Sequence, residues 1–178
     1  MSVINRILKV IKKHQRFLVT THARCDGDAL GSELSFAMML RRMGKSVDIV
    51  NVGGIPEELM FLPGADKVRI YKNGNGLKGD YQVVVVLDSG GIDRLEEMET
   101  PVQKLIKHGA PMLTSVYRCH IGVPRGHRDA FVINIDHHRG NDMFGDINWV
   151  EPGTASVGEM IYQLVKASGI TIDKAMAK

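Results

Sequence analysis

Apolar residues at Val3, Ile4, Ile7, Leu8 and Ile11 recur at helical spacing, with Arg6, Lys9, Lys12 and Lys13 between them. That pattern predicts an amphipathic helix from Ser2 to about His14, capped by Ser2. The period then changes. Phe17-Leu18-Val19-Thr20-Thr21 is a short apolar run of strand composition, and Leu30, Leu34, Ala37, Met38 and Leu40 to Met43 return to helical spacing before Gly44, which suits a C-cap. Val47 to Val52 reads as a strand again. Strand, loop, helix, glycine, strand is a βαβ unit, which requires parallel pairing and a right-handed crossover.

Downstream, Gly53-Gly54-Ile55-Pro56 is a turn, Glu57 to Leu62 one short helical turn, Lys67 to Ile70 a small strand and Asn73-Gly74-Asn75-Gly76 a loop. Tyr81 to Leu87, with four consecutive valines, predicts a central strand. Glu96 to about His108 predicts a helix broken by Gly109-Ala110-Pro111, and Met112 to Asp129 has mainly loop composition. Phe131 to Ile135 is a further strand. Gly153 to Ala167 reads as a helix with Ile161, Leu164 and Val165 inward and a Ser156-x-x-Glu159 capping box, and Ile170 to Lys178 suggests another helix beginning at Asp173. The expected fold class is α/β: a mostly parallel β-sheet with helices on both faces, Rossmann-like.

At 178 residues the default is one domain. The net charge of +3 permits anionic partners without demanding them. Two cysteines and a basic first helix without an apolar signal core point to the cytoplasm. No apolar stretch approaches the ~18 to 20 residues that span a bilayer, so no membrane partner is expected.

Three strand ends carry the candidate chemistry. The first strand runs into His22-Ala23-Arg24-Cys25-Asp26-Gly27-Asp28, the valine strand into Asp88, and Phe131 to Ile135 into Asp136-His137-His138. Open α/β sheets place their sites at strand carboxyl ends. Taken singly, Asp26 or Asp28 would serve as a helix cap, Asp88 as a turn residue and His137-His138 as a polar surface pair. Three coincidences at strand ends favour one shared metal site instead. Carboxylates mixed with imidazoles suit Mn²⁺, Fe²⁺, Co²⁺ or Zn²⁺, and the lack of a Cys pair argues against structural zinc. The donors exceed one ion's needs, so two ions roughly 3.5 to 4 Å apart, sharing a carboxylate and a hydroxide, are expected.

Gly153-Thr154-Ala155-Ser156 at a helix start offers free amides and hydroxyls to a phosphate, or is a simple cap. Arg139 is either a phosphate ligand or a solvated side chain. Cys25 reads as a small filler between ligands. Cys119-His120 with His127 is an incomplete ligand set and reads as loop.

His22-Ala-Arg-Cys-Asp26-Gly-Asp28-Ala-Leu-Gly-Ser, the strand ending at Asp88, Asp136-His137-His138, Phe144-Gly145-Asp146-Ile147-Asn148 and Thr154-Ala155-Ser156-Val157-Gly158-Glu159 together resemble the DHH phosphoesterase superfamily. The resemblance is greatest to its branch of nanoRNA and pAp phosphatases and cyclic-dinucleotide phosphodiesterases. It implies a Mn²⁺-dependent two-metal hydrolase, with Mg²⁺ or Co²⁺ as alternatives, acting on short RNA or DNA oligonucleotides or small nucleotides. In that pattern His22, Asp26, Asp28, Asp88 and His137 are metal ligands and Asp88 bridges. His138 and Asp88 are the catalytic residues, and His138, Arg139, Thr154 and Ser156 face the phosphate. The resemblance further implies a last metal-binding Asp and a second, substrate-binding domain beyond residue 178, so the chain is expected to be a truncated catalytic domain of low activity. A homodimer of the full-length protein fits the same pattern.

Cys25 stands where relatives commonly have Pro, and about Pro111 to Asp129 looks like an insertion that covers or narrows the site. Two other readings compete with the phosphoesterase: a metal- or nucleotide-binding module without turnover, and a pyrophosphatase of the same superfamily.

Overall fold

A computed structural model describes residues 1–77, 79–105 and 130–178. Helix α1 (Val3–Lys13) is capped by Ser2, whose Oγ accepts from the Asn5 N–H, and it buries Ile7, Leu8 and Ile11. Strand β1 (Arg16–Thr21) leads into α2 (Gly27–Arg42) and β2 (Ser46–Val52). The helix stops where expected. Gly44 takes φ +74°, its N–H meets the Arg41 carbonyl, and the Lys45 N–H meets the Leu40 carbonyl, closing a Schellman motif. Short β3 (Arg69–Tyr71) follows, then β4 (Val83–Leu87).

Of the helix expected over 96–108, residues 106–108 and the expected break at Gly109-Ala110-Pro111 lie outside the described residues, and the rest forms two pieces. A 3-10 segment, Ile92–Met98, kinks at Glu96, and α3 (Glu99–Leu105) continues from it. The stretch from Pro111 to Asp129, including Cys119, His120 and His127, lies outside the described residues. Strand β5 (Phe131–Asp136) is followed by β6 (Ile147–Val150) and α4 (Val157–Ser168), the latter capped by Ser156. Sequence reading does not anticipate β6. With four residues of alternating burial it shows too little period to stand out. The expected helix from Asp173 is a single turn, with the Asp173 carboxylate accepting from the Ala175 and Met176 amides.

All pairings of the six strands are parallel, in the order β3-β2-β1-β4-β5-β6. The sheet therefore winds outward in both directions from β1 and β4, and the crevice between those two strands is its topological switch point. Alternate strand residues face opposite layers. Phe17, Val19, Val83, Val85, Ile133 and Ile135 pack under α1, α2 and α4. Leu18, Val84, Val86 and Val132 face Leu95, Met98 and Val102 of the 3-10 segment and α3. Burial from both sides explains why β4 is apolar without alternation. Among the described residues no helix is long and apolar enough to cross a membrane.

Phe36 is fully buried whereas Phe61 is 66% exposed. Phe36→Ala should cost about 3–5 kcal/mol in urea unfolding, and Phe61→Ala less than about 0.5 kcal/mol.

Candidate metal centre

Parallel register sets Thr21 of β1 beside Leu87 of β4, and Leu87 beside Ile135 of β5. One residue further, three adjacent chains deliver His22, Asp88 and Asp136, all buried. Asp88 leaves the strand with φ +52°, and its N–H donates to the Ile135 carbonyl at 3.0 Å. Asp tolerates this left-handed conformation better than most residues, so the strand can end there with its carboxylate still held in the crevice.

Each oxygen of Asp88 faces an imidazole. His22 Nε2 lies 3.8 Å from Oδ2, and His137 Nε2 lies 3.5 Å from Oδ1. Among the described residues two sets of donor atoms lie within 4.8 Å of one another: His22, Asp26 and Asp88, and Asp88, His137 and His138. Asp88 belongs to both. Its Oδ1 is buried without a hydrogen-bond partner among the described residues. An unpartnered buried carboxylate oxygen is costly, and a cation would satisfy it. The donor chemistry, carboxylate with imidazole, fits a divalent ion of intermediate hardness.

The histidines are oriented from behind. His137 Nδ1 meets the Thr154 carbonyl at 3.1 Å, which places the proton on Nδ1 and leaves Nε2 as a lone-pair donor. His138 Nδ1 lies 2.6 Å from Asp136 Oδ1. Asp136 is itself held, because Asn141 Nδ2 donates to its Oδ2 at 2.6 Å. Asn141 Nδ2 also lies 2.8 Å from Asn134 Oδ1, and Asn134 Nδ2 donates to the Ser89 carbonyl at 3.1 Å. Sequence reading did not single out Asn134 or Asn141. Their one signal is polarity, Asn134 inside an apolar strand and Asn141 three residues beyond His138.

The acidic loop does two jobs. Asp26 Oδ1 caps α2 by accepting from the Ala29 N–H at 3.0 Å, while the same residue belongs to the His22 set. Asp28 lies outside both close sets, with its Oδ2 3.9 Å from His137 Nε2. Its oxygens accept from the Val157 and Gly158 amides, each at 2.8 Å. Asp28 thus occupies the first two amides of α4, since a helix N-terminus favours any carboxylate within reach, while in the preceding Gly153-Thr154-Ala155-Ser156 stretch the Thr154 N–H donates to the Glu151 carbonyl. Cys25 is buried, and burial, then Glu33, Asp26 and Asp88, hold its thiol far above the ordinary range, so it carries no thiolate.

Of the residues expected to face a phosphate, Arg139 is exposed on the turn after His138. Thr154 turns its carbonyl to His137, and its hydroxyl lies 3.4 Å from Glu151 Oε2. Ser156 Oγ accepts from the Glu159 N–H at 3.2 Å as the α4 cap.

With this geometry established, the chain compares closely with known proteins. Residues 16–178 match the DHH family, N-terminal domain. The chain belongs to the DHH family. It is 27% identical over 160 residues to the bifunctional oligoribonuclease and PAP phosphatase NrnA of Bacillus subtilis, covering 89% of this chain and 40% of the relative. It is 30% identical over 170 residues to the NrnA of Thermus thermophilus, covering 96% of this chain and 42% of the relative. The resemblance to the nanoRNA and pAp phosphatase branch is borne out by these relatives. The DHH chain therefore spans about two fifths of their length. An exopolyphosphatase-related protein from Bacteroides fragilis superimposes with a TM-score of 0.75 at 23% identity, over 94% of this chain and 44% of that one. That likeness shows the α/β fold expected from the sequence.

Asp28→Ala leaves two α4 amides without their acceptor. Thermal or urea unfolding in EDTA should register a loss of about 1–2 kcal/mol, before any ion is added.

Proposed function

We propose that this chain is the amino-terminal catalytic domain of a metal-dependent phosphoesterase acting on short oligonucleotides or small nucleotides. The observation that carries the reading is Asp88, buried, with one oxygen unpartnered and common to two sets of ligand-type atoms. His22, Asp26 and Asp88 would hold one divalent ion, and Asp88 and His137, with Asp28 beside them, a second. Mn²⁺ suits this donor set, with Mg²⁺ or Co²⁺ as substitutes. Bound there, the ions supply charge neutralisation at the phosphoryl oxygens and a water of lowered pKa.

The protein's own groups set the geometry. The Thr154 carbonyl keeps the His137 Nε2 lone pair on the crevice side of the ring. Asp136 fixes the His138 ring through Nδ1, which orients His138 for its place beside the phosphoryl group. Arg139, exposed next in the chain, supplies a positive charge for a second phosphate of the substrate. Thr154 enters the reading through His137, and Ser156 retains a hydroxyl proton for the substrate while its oxygen caps α4. The names of the relatives favour nanoRNA and pAp as substrates.

The test is a panel of diribonucleotide, pAp, cyclic dinucleotide and inorganic pyrophosphate with Mn²⁺, against an EDTA control. Mn²⁺-dependent release of mononucleotide or phosphate from the first two is expected. Turnover of pyrophosphate alone would instead make the protein a pyrophosphatase, and Mn²⁺ binding without turnover a binding module. Asp88→Ala should lower Mn²⁺ affinity, read by calorimetry, by more than the roughly 10–100-fold that an outer partner costs. Asn141→Leu, which strips Asp136 of its donor, should slow hydrolysis by about 10–100-fold while the fold, read by circular dichroism, persists.

A further inference from the structure

Glu33 on α2 and Asn51 on β2 are both fully buried, and neither belongs to the two sets of ligand-type atoms. Asn51 Nδ2 donates to Glu33 Oε2 at 2.7 Å. The remaining two oxygens of the pair, Glu33 Oε1 and Asn51 Oδ1, have no partner among the described residues. Both are acceptors, so no rearrangement of an ionised pair lets one satisfy the other. A single proton resolves both. A neutral acid would donate from Oε1 to the amide oxygen while the amide N–H donates to Oε2, which would close a ring of two hydrogen bonds.

We propose that Glu33 is a positioning residue that carries its proton at neutral pH and, through this acid–amide ring with Asn51, ties α2 to β2 behind the Asp26–Asp28 loop. The placement suits such a role. Glu33 lies about two turns along the helix whose first turn bears Asp28. A charged Glu33 would put an ionised carboxylate in a fully buried place at a heavy desolvation cost.

The elements packed against α2 carry Arg16 on β1 with His22 and Cys25 after it, Asp48 on β2, Asp88 after β4, and Glu159, Tyr162 and Lys166 on α4; of these Asp48 is engaged by Arg69 and Tyr81. Burial governs Glu33, raising it to about 8, against the opposing Asn51 hydrogen bond. The folded chain therefore keeps a proton that the unfolded chain has lost. Stability from this group is complete below the ordinary carboxyl range and is lost as pH rises to about 8.

Glu33→Gln tests the proposal, because an amide pair preserves both hydrogen bonds without a titratable proton. Its thermal midpoint at pH 7 should match or exceed the parent's, whereas Glu33→Ala should fall well below. Between pH 6 and 8 the parent's folding equilibrium constant should drop relative to Glu33→Gln by up to roughly tenfold per pH unit. The infrared difference between parent and Glu33→Gln at pH 7 should contain the carbonyl band of a protonated carboxylic acid. A carboxylate band there instead, or a Glu33→Gln variant as unstable as Glu33→Ala, overturns the proposal. The positioning role rests on the metal reading above and has its own readout: Glu33→Gln should bind Mn²⁺ within about twofold of the parent at pH 7, and Glu33→Ala about tenfold more weakly. Loss of Mn²⁺ binding in Glu33→Gln with the acid band present would overturn positioning alone. No Mn²⁺ binding by the parent would refute the metal reading and leave the acid–amide ring standing.

Discussion

Parallel hydrogen bonding that sets Thr21, Leu87 and Ile135 on one rung decides where every side chain of the cluster stands. A slip of one residue in any of the three strands would send its apolar side chains to the wrong layer. Both layers are packed, so such a slip has no inexpensive alternative. The carboxyl ends are held level by core packing, and His22 and Asp88 emerge together at the one place where the crossovers diverge.

Placing carboxylates so close together works because each has company. Asp26 uses one oxygen on α2, Asp28 uses both on the start of α4, and Asp136 is surrounded by His138 and Asn141. Helix N-termini favour negative charge, which eases the repulsion among these acids. Of the four acids in the cluster, Asp88 keeps a buried oxygen without a hydrogen-bond partner among the described residues. The acid that is least satisfied by the protein is the one shared by both ligand sets. Glu33 is the converse case, a fully buried carboxyl with the Asn51 amide as its donor, which burial pushes toward the neutral form.

Much of this was legible in the chain. The helical periods of α1, α2 and α4, the Ser2 and Ser156 caps and the Gly44 stop are local features, and local propensity reports them faithfully. Strand β4 was legible because four valines favour a strand buried on both faces. Strand β6 was not, since its four residues gain their strand character from β5 beside them. The Asp28 link to Val157 and Gly158 joins residues about 130 positions apart, beyond any local pattern. The contact of the Thr154 carbonyl with His137 Nδ1 likewise spans 17 positions and has no local signal.

By itself the sequence determined which groups can do chemistry and that they stand at strand ends: His22, Asp26, Asp28, Asp88, His137 and His138 follow apolar runs that cannot remain in water. Only the tertiary structure decided how those groups divide their hydrogen-bonding capacity. It gave Asp28 to a helix start, Asp136 to His138 and Glu33 to Asn51, and left Asp88 Oδ1 open. The reason is physical. Apolar period depends on neighbours in the chain, whereas satisfying a buried polar atom depends on whichever donor the packed fold brings within about 3 Å.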